Sequence, residues 1–113
     1  MPKEIIEGAI SIIRDQIDTP RSPCKKTEDG KTSFCAAAAL AIAGLELEGE
    51  EKRKQTFISE ITDTGSSEPI REVFREFGWP VEACDKSLVV NDALPEKDRT
   101  RSVIQFFESA LDN

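Results

Sequence analysis

The side chains best suited to chemistry in this chain are three cysteines, Cys24, Cys35 and Cys84, the adjacent pair Asn91-Asp92, Arg99 shortly after it, and the lone tryptophan, Trp79. Cys35 lies early in an apolar run that has the composition of a helix. A thiolate in a first helical turn is stabilised by the unpaired N–H groups there, an arrangement shared by many thiol nucleophiles. Such a nucleophile also needs a base, and the chain has no histidine. The alanines that follow Cys35 point to close helix packing, so burial as a small apolar residue outweighs catalysis at this position.

Asn91 and Asp92 stand between Val90 and Ala93, where two polar side chains require partners. A turn or cap accounts for them first, with Asp92 paired to Arg99 or Arg101. The alternative is a polar pocket in which Asp92 acts as a base or orients a ligand beside Trp79 and Arg99. Three cysteines without paired C-x-x-C spacing, in a chain without histidine, predict no protein-only zinc site. A disulfide between Cys24 and Cys35 is geometrically possible across a flexible loop, but free thiols are the ordinary state in a reducing cytoplasm. Glu46, Glu48, Glu50 and Glu51 lack the ligand alternation and central glycine of a calcium loop and read as a solvated face. No phosphate-cradling glycine loop or Ser-His-Asp set is present, so no cofactor is expected.

Whatever these residues do, the 113 residues suffice for one domain, 1–113, that withdraws about two-thirds of its unfolded surface from water. The net charge of −7 opposes nucleic-acid binding by direct phosphate neutralisation. Locally, Arg21, Lys25, Lys26 and Lys31 outnumber Glu28 and Asp29, which suggests a solvated loop first and an anion or partner contact second. The longest apolar run, Phe34 to Leu45, is mostly alanine and falls short of the roughly 20 residues that span a bilayer. Glu7 interrupts the first apolar stretch, so a cytoplasmic location is expected.

The positioning elements follow from apolar periodicity. Ile6, Ile10, Ile13 and Ile17 form the stripe of a first helix entered from Pro2 and stopped by Thr19-Pro20. Cys24 to Thr32 is polar around Asp29-Gly30; a two-stranded ribbon is conceivable, and an irregular loop is favoured. Ser33 is the expected cap of a second helix, Phe34 to Ala43, closed by Gly44. That helix is apolar on all sides and should be central. A third helix around Phe57, Ile58 and Ile61 should end before Gly65, with Glu50 and Lys54 as a supporting pair. A fourth carries Ile70, Val73, Phe74 and Phe77 up to Gly78. Ser87 to Leu94 fits either a short helical turn or an extended passage. Thr100 or Asp98 caps a last helix with Val103, Ile104, Phe107 and Leu111 on its apolar face. The expected fold is all-α, a compact bundle of about five helices around a central Ala-rich helix.

The chain also resembles a family of small bacterial and phage proteins known only as a domain of unknown function. The likeness rests on a first helix, Ile5 to Ile17, then Gly30 in a polar loop with the run Cys35-Ala36-Ala37-Ala38-Ala39-Leu40. Asn91-Asp92 and a closing helix with Arg99-Thr100 and Val103-Ile104 complete it. Val90 stands where a tryptophan often precedes Asn-Asp in that family, and Ala38 where glycine is common. The resemblance implies a helical fold and supplies no chemistry. Together these features predict a small non-enzymatic interaction or accessory protein, monomeric or homodimeric, whose partner is another protein. The alternative is a small-molecule-binding protein or enzyme with a pocket near Trp79, Asp92 and Arg99, and with Cys35 close by.

Overall fold

A computed structural model describes residues 1–112. In chain order it contains α1 (Lys3–Asp15), a ribbon of β1 (Cys24–Lys26) and β2 (Thr32–Phe34), then α2 (Ala36–Leu47), α3 (Glu51–Thr64), α4 (Glu68–Phe77), α5 (Val81–Asp92) and α6 (Glu96–Leu111). The fold is thus mostly helical, as expected, with a small two-stranded ribbon added, and it has six helices among the described residues where about five were expected.

The loop favoured for Cys24 to Thr32 is instead an antiparallel ribbon in which Lys25 opposes Ser33. Its turn is closed by the Thr27 amide on Lys31 O, while the Asp29 carboxylate accepts from the Thr27 hydroxyl and the Lys31 amide. These local bonds favour an ordered hairpin over an irregular loop. The outward-facing N–H and C=O of Phe34 are both taken by the Gln16 side-chain amide, each at 2.8 Å.

Around α2 the chain is packed by small residues. Every residue from Ala36 to Leu45 is buried, with α1, α3, α4 and α5 packed around it. Two expected boundaries of this helix are corrected. Its cap is Cys35, not Ser33, and Gly44 lies within the helix, which runs on to Leu47. Gly44 serves close approach rather than termination: a Cβ there would stand 2.3 Å from the Trp79 ring. Trp79 is aimed by the end of α4, where Gly78 adopts φ 73°. The Trp79 amide bonds Phe74 O and the Gly78 amide bonds Arg75 O, closing α4 in a Schellman motif.

In α1 the buried face is Ile5, Ile6, Ala9, Ile10 and Ile13, and the helix ends at Asp15. Ile17, expected in the stripe, lies beyond that end and is 82% exposed. Lys54 pairs with Glu51 and Glu46 at 3.0 and 3.3 Å, rather than with Glu50. The undecided stretch from Ser87 is helical and belongs to α5, whose buried positions Cys84, Ser87, Leu88 and Asn91 follow helical spacing. Helix α6 begins after Pro95, earlier than a cap at Asp98 or Thr100 would set it. No described helix is long and apolar enough to cross a membrane.

Candidate functional site

Between α1 and the ribbon, the segment Thr19 to Pro23 lies as a strap against the junction of α5 and α6, and the sequence-predicted polar residues hold it there. Asn91, fully buried, donates to Pro20 O at 2.9 Å and accepts from the Ala36 amide at 3.0 Å. It therefore satisfies one of the first-turn N–H groups of α2, which have no partner within the helix. Asp92 accepts from the Ser22 amide and hydroxyl, both at 3.1 Å, and from Asn91 at 2.9 Å. Arg99 donates to Leu94 O through Nε and Nη2 and to Thr19 O through Nη1 at 2.8 Å. The Thr19 and Thr100 hydroxyls meet at 2.7 Å.

The expected ion pair of Asp92 with Arg99 or Arg101 is not formed, because both Asp92 and Arg99 are directed at the strap and its flanking backbone. Trp79 is not brought to them either. It precedes α5 while Asp92 ends it, and twelve helical residues span about 18 Å. Its neighbours are Phe74, in an edge contact at 5.1 Å, and Phe77, stacked at 4.7 Å.

Cys35 sits close to the strap, but it is wholly buried. Burial pushes its thiol up to about 11, despite the Ala38 amide that donates to its sulfur. An amide that would favour a thiolate is thus present, and desolvation outweighs it. Burial likewise pushes Cys84 up to about 12, and it raises Cys24 against an opposing bond from Thr62. All three thiols are free. Among the described residues no three His, Cys, Asp or Glu side chains converge as a metal site, and no buried side-chain nitrogen or oxygen lacks a hydrogen bond.

Among the concavities of the described residues, two bear on function. A polar cleft of about 580 Å³ lies where α5 meets α6 and includes Asp92 and Arg99, with Arg21, Lys25 and Glu96. On another face, a groove of about 690 Å³ between α5 and α6 is lined by Ile6, Leu40, Ala83, Val90, Phe106 and Phe107, among others. Among the described residues that line it, Lys86 carries a charged side chain, which stands 6.0 Å from the Phe106 ring centroid. The sequence pattern missed this groove. Phe106 lies off the stripe of Val103, Ile104, Phe107 and Leu111, and that displacement was the available signal.

No family model, curated protein or solved structure matches the chain.

Proposed function

We propose that this is a non-enzymatic interaction protein that seats a helix of another protein in the groove between α5 and α6. The groove itself carries the proposal. Ala83, Lys86, Ser87 and Val90 recur on α5 at helical spacing, and Phe106 and Ala110 face them from α6. Two helices that present a mostly apolar trough suit a third, amphipathic one.

A second copy of the chain offers no such ridge. Among the described residues, the exposed large apolar ones, Met1, Ile17, Leu47 and Val89, are scattered along the chain and form no helical stripe. The net charge of −7 favours a partner with basic flanks through long-range steering. The enclosure of Cys35 and the use of Asn91 and Arg99 in holding backbone support a role without catalysis. The free thiols fit a reducing cytoplasm. We extend the proposal to the family resemblance: Cys35-Ala36 and Asn91-Asp92 meet at the strap, and this hydrogen-bonded junction would be what such proteins share.

Val90→Glu and Phe106→Glu, each at a half-buried lining position, test the groove. A photo-crosslinker at Ala110 should capture a partner with the native chain and lose it in both variants, while circular dichroism shows each variant folded. Crosslinking that survives both substitutions overturns the proposal.

A further inference from the structure

The polar cleft at the α5–α6 junction contains a cation that the protein leaves without a counter-ion. Arg99 is only 3% exposed, yet among the described residues it forms no ion pair. Two of its N–H groups go to Leu94 O, at 3.1 and 2.6 Å, and one goes to Thr19 O. A guanidinium has five N–H donors, so one on each terminal nitrogen has no acceptor among the described residues. Carbonyl dipoles solvate a cation without cancelling its charge, and a buried charge is costly until an opposite one pairs with it.

Arg21 and Lys25, both exposed, stand in the same cleft. Two carboxylates also face it. Asp92 is held by Ser22 and Asn91, and Glu96 approaches Lys25 at 3.9 Å. Three positive groups against two negative ones leave an excess of a single positive charge, in a chain whose net charge is −7. Pro20, Leu94 and Pro95 supply an apolar wall beside these charges.

We propose that this cleft binds a small organic monocarboxylate. Its planar group accepts from the remaining Arg99 N–H donors, Arg21 and Lys25 pair with it from the rim, and its apolar body rests against the proline–leucine wall. Planar bidentate pairing is what a guanidinium does best. A phosphate dianion matches the charge less well, because it would face Asp92 and Glu96 with one charge too many.

The test is a nitrogen-resolved NMR titration of the intact chain with isovalerate, with uncharged isovaleramide and with inorganic phosphate. Isovalerate should move the Arg99 Nε–H signal and the Arg21 and Glu96 amides saturably, while isovaleramide leaves them in place. Arg21→Ala with Lys25→Ala, both at exposed positions that leave the strap bonds intact, should weaken isovalerate binding by about tenfold. Absence of saturation, an equal response to the amide, tighter binding of phosphate, or undiminished binding in the double variant would each overturn the assignment. Arg99→Lys, which keeps the charge and loses the planar fork, should abolish the effect if that variant folds; the exposed pair decides the matter if it does not.

Discussion

The buried contact of Trp79 with Gly44 and the partly exposed strap over the α5–α6 junction are held by opposite means. At Gly44 the determinant is volume: an indole occupies the space of a missing side chain, stacks on Phe77 and meets Phe74 edge-on. At the strap the determinant is direction, since Asn91, Asp92 and Arg99 are placed by bonds to Pro20, Ser22, Thr19 and Leu94. A packed contact tolerates loss of polarity but not extra atoms. A hydrogen-bonded clasp tolerates small changes of shape but not loss of a donor.

The largest effect that tests this difference is expected at Gly44. Gly44→Ala should destabilise by about 3 kcal/mol in urea unfolding, with overpacking outweighing the better helix propensity of alanine. Adding Trp79→Leu should give a double variant more stable than the sum of the two single changes, because the clash partner has gone. Strict additivity would break the volume account. At the strap, Asn91→Ala should cost about 2 kcal/mol by leaving Pro20 O and the Ala36 amide unpaired. It should also speed hydrogen exchange at Ala36, whereas Gly44→Ala should leave that amide's exchange relative to the rest of α2 unchanged.

A pH effect ranks next. Cys35 and Cys84 are raised from an ordinary value of 9.0 to about 11 and about 12 by burial. The folded protein keeps these protons where the unfolded chain has released them, so the contribution is complete below about pH 9 and is lost as pH rises through the folded values. The urea midpoint should fall between about pH 8 and about pH 10.5, and Cys84→Ala should lessen the fall. The smallest effect is expected for Asp92→Asn. This exposed side chain keeps an oxygen to accept from Ser22, and its loss of charge should cost about 0.5 kcal/mol or less.

Where one apolar face meets the core, the elements were legible in the sequence. Ile70, Val73 and Phe74 mark α4, and Gly78 ends it. Helix α5 was illegible for a specific reason: Ser87 and Asn91 occupy its buried face and interrupt the apolar period. Gly44 was misread because a glycine that receives a ring and a glycine that ends a helix look alike until the position of Trp79 is known. Asn91, Asp92 and Arg99 were recognisable as residues in need of partners. Apart from Leu94 O beside Arg99 and the bond between Asn91 and Asp92, their partners stand 55 to 80 residues away, mostly in backbone groups that no side-chain pattern announces. The apolar groove was hidden likewise, since it depends on how far α5 and α6 diverge.

The Gln16 amide has a consequence for the protein in a crowded solution. A short ribbon normally leaves its outer backbone open to zipping by any extended chain, the first step toward ordered aggregates. By offering one acceptor and one donor to Phe34, Gln16 occupies the docking points that an invading strand would use. A single side chain at the end of α1 thus acts as a stopper at Phe34 on the β2 edge.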